Sequence, residues 1–369
     1  MSKFKEAIRK TRGFYAMEKN APILQHEFGF FVLDRWIKEG HVKNAEELYK
    51  LCDFDENGMI RWGNLGWCEA AFCPCFKEEV LEDRGNHELV LDYAGRHVLY
   101  FKGRRHGFMP EYVAHPVTDW DTWERNVKWR LAVDAEGRFD ELPKQAEDMK
   151  NKAGQGAMIG QSVIGGFMYL RSLVGPEGIL YLVYDEPDLV HDMMRAWFDL
   201  ADAVIAKHQR YTPLDELFFA EDICFNHGPL ISPAMMREFL FPYYRQLITN
   251  VKARQNNERH LYIQIDTDGD CRPVIDVYQE IGMDYMSPFE VASGCDVVAL
   301  RKLYPNLLMR GGIDKRILAA GKEAIDREIE RIMPFMTELG GFTPMCDHGV
   351  PDEVKFEDYI HFRARLKEF

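Results

Sequence analysis

From about residue 155 onward, short apolar runs alternate with stretches whose apolar residues recur every three or four positions, the pattern of βα units. Strands are predicted at 157–164, 216–220, 260–265, 285–287, 306–310 and 341–343, each followed by a helical pattern. The clearest helix runs over 187–211, where Leu189, Met193, Met194, Trp197, Leu200, Val204 and Ile205 form one apolar stripe. Two more helices are predicted to begin at Ser232-Pro233 and Cys271-Arg272-Pro273, because proline fits a first helical turn.

Six βα units in 156–369 predict a closed (β/α)8 TIM barrel, which requires two further strands from residues 1–155. The N-terminal part is an extension with weaker periodicity. Its 87–93 and 97–102 runs, joined by Ala94-Gly95-Arg96, predict a β-hairpin near the barrel mouth. No linker-like or low-complexity stretch divides the chain, so residues 1–369 are read as one domain. An open doubly wound sheet is the other arrangement of such units. No glycine-rich phosphate fingerprint opens any helix to favour it.

In a barrel of parallel strands, the residues just past the strand C-termini share one face. Two segments place ionisable groups there. One is Tyr262-Ile263-Gln264-Ile265-Asp266-Thr267-Asp268-Gly269-Asp270, and the other is Gly341-Phe342-Thr343-Pro344-Met345-Cys346-Asp347-His348-Gly349. Asp266 and Asp268, two apart, point the same way on an extended chain and can share a metal or a proton, although capping the helix near Pro273 is the plainer reading. His348 is the first choice for general acid/base or metal ligand, with Asp347 beside it to fix its tautomer. Glu221 and Asp222 follow another strand and point oppositely, with Glu221 expected inward and Asp222 as its alternate. Glu290 and Arg310 are further candidates for substrate contact. Phe167, with Tyr169, begins a helix near the mouth and is a candidate wall for an aryl pocket. Asp314 reads equally well as a helix cap.

The formal charge of the 369 residues is -14 and no Lys/Arg stripe stands out, which excludes nucleic acid and anionic membrane surfaces as natural partners and leaves a small molecule or a protein. No run approaches a membrane span and the N-terminus lacks a secretory apolar core, so a cytoplasmic protein is expected. The eight cysteines are then thiols. Cys68, Cys73 and Cys75 cluster in sequence but lack the paired spacing of a zinc knuckle.

Several phrases, in this order, resemble the uroporphyrinogen decarboxylase superfamily: Gly166-Phe167-Met168-Tyr169-Leu170-Arg171, Tyr184-Asp185-Glu186-Pro187, Glu221-Asp222, Gly228-Pro229-Leu230-Ile231-Ser232-Pro233, Asp268-Gly269, Gly311-Gly312-Ile313-Asp314 and Asp347-His348-Gly349-Val350-Pro351. The resemblance implies a TIM barrel with its active site at the C-terminal mouth. It also brings in the methyltransferases of that superfamily, which hold a thiol-activating metal with a His-x-Cys pair and a later Cys. Here Asp266, Asp268 and His348 stand at the matching positions, so both thiolates are gone. Two carboxylates and an imidazole still suit a divalent metal, zinc first, or a harder ion. The arginine signature that grips porphyrinogen carboxylates is not evident, and Arg104-Arg105-His106 is only a candidate remnant.

The function expected from this resemblance is transfer of a methyl group from a small methoxylated or methylated substrate to a corrinoid protein, catalysed by His348, Asp268 and Glu221. The corrinoid would come with the partner protein, and the resemblance is compatible with a homodimer. A decarboxylase, or a noncatalytic binding subunit on the same fold, is the alternative.

Overall fold

A computed structural model describes residues 2–63, 65, 71–103, 110–255 and 259–369. Cys68 and the Arg104-Arg105-His106 run lie outside the described residues. The N-terminal helix α1 (Lys3–Tyr15) is capped by the Ser2 hydroxyl. After it come β1 (Met59–Trp62) and four strands, β2 (Glu79–Arg84), β3 (His87–Leu91), β4 (His97–Phe101) and β5 (Glu111–Ala114). The remaining strands are β6 (Met158–Ile164), β7 (Glu216–Ala220), the short β8 (Cys224–Phe225) and β9 (Gly228–Pro229), β10 (Tyr262–Asp266), β11 (Tyr285–Ser287), β12 (Leu308–Ile313) and β13 (Phe342–Cys346).

Seven of these form one curled parallel sheet in the order β1, β6, β7, β10, β11, β12, β13, with helices between successive strands, as in a TIM barrel. All six strands predicted in the second half are present. Of the two further strands expected from the first 155 residues, only β1 joins the sheet among the described residues. The gap between β13 and β1 is bridged by the segment around 25–32. Its backbone meets Val350 through Phe31 N–H (3.0 Å) and meets Asp55 through the Gln25 carbonyl (3.0 Å). This segment is not a strand because its polar side chains take over the bonding. Glu27 accepts from Cys346 N–H and from the Tyr359 hydroxyl, each at 2.9 Å.

The period of two along each strand sorts side chains into an outer and an inner layer. Outward, Gln161 bonds His208 at 2.7 Å, and Trp62 stacks on the same imidazole. The helix Pro187–Gln209 buries the stripe read from the sequence, from Leu189 to Ile205. Inward, the lining is polar: Arg61 pairs with Glu216 at 2.6 Å, and Gln264 reaches Ser287 Oγ at 2.9 Å. At the N-terminal end of the strands, Phe14 and Tyr15 of α1 pack edge-on against Tyr285 and Tyr262. The Tyr15 hydroxyl bonds Glu216, so α1 covers that end of the sheet.

The predicted hairpin is present as β3 and β4. It forms the centre of a four-stranded antiparallel sheet, β2-β3-β4-β5. The chain leaving β5 joins the helix Gly166–Val174 through the bond from Val117 N–H to the Leu173 carbonyl, 3.1 Å. Among the described residues, no helix is long and apolar enough to cross a membrane.

Candidate active site at the barrel mouth

Backbone bonds gather the ends of β7 and β10 before any side chain acts. Glu221 N–H and Asp222 N–H both donate to the Asp266 carbonyl, at 2.9 and 3.0 Å. Asp222 takes a positive φ of 43°, which turns its side chain away from that of Glu221. The result reverses the expected assignment of the two. Glu221 is fully buried and points into the helix layer, where it accepts from Phe167 N–H at 2.9 Å and from the Tyr244 hydroxyl. A Cβ on Gly165 would come within 2.4 Å of Glu221 Oε2, so glycine is required for this carboxylate to fit. Burial pushes Glu221 up to about 7.

Asp222 instead faces the mouth, paired with Arg171, a residue that sequence reasoning used only as part of a resemblance. Burial raises its pKa. Asp266 lies close to both Asp222 and Asp268. It accepts from Ser287 Oγ at 2.5 Å, and burial, reinforced by the neighbouring carboxylates, lifts it to about 6. Asp268 is the more exposed of the pair and sits opposite His348, with Nε2 3.6 Å from Oδ2. The carboxylate raises the imidazole pKa.

His348 is held from the other side by two aromatics of the N-terminal segment. Phe31 is stacked with it at 5.7 Å and Phe28 tilted at 4.8 Å between ring centroids. Nothing in the local sequence of Phe28 and Phe31 signals this role, because they come from more than three hundred residues away. Asp347 does not contact the imidazole to fix its tautomer. It is buried and accepts from Val291 N–H (2.9 Å) and Lys315 N–H (3.1 Å), tying three loops together. Asp314 is a helix cap, accepting from Arg316 N–H at 2.9 Å.

Glu290 stands at the rim with its charge already matched. It accepts from Gly269 N–H at 2.9 Å and pairs with Lys315 Nζ at 3.0 Å. Phe167 is wholly buried, so its ring belongs to the core and lines no aryl pocket. Arg310 points into the sheet interior, level with Ser287 in the strand register, with Nε 3.0 Å from Met345 Sδ. The mouth therefore brings together Asp222, Asp266, Asp268 and His348 of the expected residues. It leaves out Glu221 and Phe167, and Arg310 reaches it through its charge on Asp266.

A metal site would require Asp266, Asp268 and His348 to converge. Among the described residues no three His, Cys, Asp or Glu side chains do so, and Asp266 is already turned to Ser287. The donor set does not fit a bound ion in this arrangement. Cys73 bonds the Glu136 carbonyl, and the cysteines among the described residues are free thiols.

Comparison with known proteins matches the chain to a family. The uroporphyrinogen decarboxylase (URO-D) family profile matches residues 105–369. A uroporphyrinogen decarboxylase of Geobacter metallireducens is 27% identical over 135 residues, which are 36% of this chain and 37% of that protein. A methyltransferase from Methanosarcina mazei shares the fold over 98% of both chains, with a TM-score of 0.57 and 15% identity. The chain therefore belongs to the uroporphyrinogen decarboxylase (URO-D) family.

Proposed function

We propose that the protein is an enzyme that removes a methyl group from a small methoxylated or methylated substrate and passes it to a corrinoid protein. The observation that supports this best is Asp266: a carboxyl at the mouth whose pKa, about 6, keeps a proton within reach near neutrality. An ether or amine methyl leaves only if the heteroatom left behind is neutralised. A positioned acid of matched pKa does that. In this reading Asp266 delivers the proton, Ser287 orients it, and the His348–Asp268 pair binds the substrate heteroatom from the opposite side. The corrinoid carried by the partner would supply the nucleophile that accepts the methyl group.

The rim suits a docked partner. Phe28, Phe31 and Phe225 are each about half exposed around His348 and Gly269, and aromatic groups of this kind anchor protein interfaces. No step is assigned to a metal, since the side chains do not converge on one.

The 27% identity to a decarboxylase supports a second reading, loss of carbon dioxide from a pyrrole-type substrate, with an aspartate of the mouth stabilising the protonated ring. One experiment separates the two. The protein is mixed with reduced, Co(I) corrinoid and a panel of methoxylated aromatics and methylamines, and the visible spectrum is followed for methyl-corrinoid. Methylation that disappears in Asp266→Asn supports the proposal. If no donor yields methyl-corrinoid while uroporphyrinogen is decarboxylated, methyl transfer is abandoned.

A further inference from the structure

Below the mouth, between the inner faces of the strands and α1, lies a cavity of about 460 Å³. That size is in the range of small-molecule sites, ~300–1,000 Å³. In a chain of net charge -14, none of the described residues lining it is acidic. Two arginines, Arg61 and Arg310, contribute instead. Arg61 is neutralised by Glu216. Arg310 has no direct ion pair among the described residues: its guanidinium touches Met345 Sδ and the Tyr285 hydroxyl, and its charge reaches Asp266, whose carboxyl is turned to Ser287 instead. A part-buried cation without a directly paired counter-ion is costly, and an anion in the cavity would reduce that cost.

Two hydroxyls near Arg310 can donate as well. Thr343 is its direct register partner on β13, so both side chains stand on the same inner face. The Thr343 hydroxyl, like that of Ser162 across the cavity, bonds no protein group among the described residues, although both residues line the space. His26 also lines it, and its Nε2 is buried with no hydrogen-bond partner. Burial and the Arg310 charge keep this imidazole neutral. The remaining walls, Phe14 and Tyr285, are aromatic.

We propose that this cavity binds a small organic carboxylate, with its anionic head on the Arg310 guanidinium and Thr343 hydroxyl and its apolar body against Phe14 and Tyr285. The planar guanidinium matches a carboxylate, forming two parallel charge-assisted bonds. The aromatic walls and the volume favour an organic acid over inorganic phosphate, which would leave most of the space unfilled. Arg310 and Thr343 stand level with Ser287 and Asp266 in the strand register, and the cavity runs from that level down to α1.

The test is calorimetric titration of the full chain with 3-phenylpropionate, its neutral amide and inorganic phosphate. The acid is expected to bind once per chain and the amide not measurably. Arg310→Gln should weaken the acid about tenfold or more, the loss of one hydrogen-bonded charge. Thr343→Val, which keeps the side-chain shape, should weaken it several-fold and serves if the arginine variant does not fold. The mouth variants Asp268→Ala and His348→Ala should bind it as the parent does. Absence of saturable binding by the folded protein overturns the assignment. So does phosphate binding as tightly as the acid, or binding lost in the mouth variants and retained in Arg310→Gln.

Discussion

His348, two residues beyond β13, and Asp268, two beyond β10, face each other with Nε2 3.6 Å from Oδ2, although eighty residues separate them in sequence. At that distance the contact is long for a hydrogen bond. Still, the carboxylate, as acceptor and as charge, raises the imidazole pKa above its usual value. A histidine whose folded pKa is raised stabilises the fold fully below its unfolded pKa, and that contribution is lost as pH rises through the folded value. Because both groups are partly exposed, the stabilisation should be no more than about 1 kcal/mol. Asp268→Asn is expected to lower the His348 pKa, read by NMR titration of the imidazole, and to shrink the stability difference between slightly acidic and alkaline pH. An unchanged pKa in the variant would show that the two groups do not interact in solution.

Asp266 predicts the pH dependence of turnover. With its pKa at about 6, the protonated form required of a general acid is depleted above that pH. The rate of methyl transfer should therefore fall as pH rises past about 6. Asp266→Asn should reduce it by about 10²–10⁴-fold, the usual worth of a positioned acid. Ser287→Ala removes the hydrogen bond that favours the ionised form. It should move the falling limb to higher pH while leaving the fold intact. A limb that stays in place in Ser287→Ala would mean that another group sets it.

The helices and strands of the second half were legible because their signals are local. The 187–211 stripe and the six apolar runs each declare a period within a single segment. What the chain did not declare locally was mis-set. The segment at 25–32 fills the gap between β13 and β1 through side-chain bonds from Glu27 to residues over three hundred positions away. Glu221 and Asp222 were correctly read as opposite in direction. Which of them faces the mouth depends on the positive φ at Asp222 and on Tyr244, both set by tertiary packing. Phe28 and Phe31 were invisible for the same reason.

Glu221 predicts a stability effect rather than a catalytic one. Its carboxyl is raised to about 7 by burial, so the unfolded chain gives up its proton first, and stability should decline as pH rises from the ordinary carboxyl range through about 7. Glu221→Gln should flatten that decline while still accepting from Phe167 N–H. Glu221→Ala strands both Phe167 N–H and the Tyr244 hydroxyl, at a cost of about 2–5 kcal/mol. Urea unfolding at several pH values measures both. Equal stability of the alanine and glutamine variants would rule out these buried bonds as the reason the glutamate is there.

Gly311, on β12, gives a prediction that separates backbone strain from collision. Its φ is +100°, and a Cβ there would lie 1.9 Å from the Pro288 carbonyl oxygen. That oxygen accepts from Gly312 N–H at 3.0 Å, so it cannot withdraw without losing a ladder-like bond beside the mouth. Gly282 has a similar φ of +87° with nothing within 4 Å. Gly282→Ala should therefore cost only the left-handed penalty, about 1–2 kcal/mol. Gly311→Ala should cost that plus the clash, more than about 3 kcal/mol, and should displace the 287–290 loop that carries Ser287 and Glu290. Denaturant unfolding of the two variants measures the difference. If their losses are equal, the β11–β12 crossing yields to the extra methyl, and the mouth is less rigidly built than this contact implies.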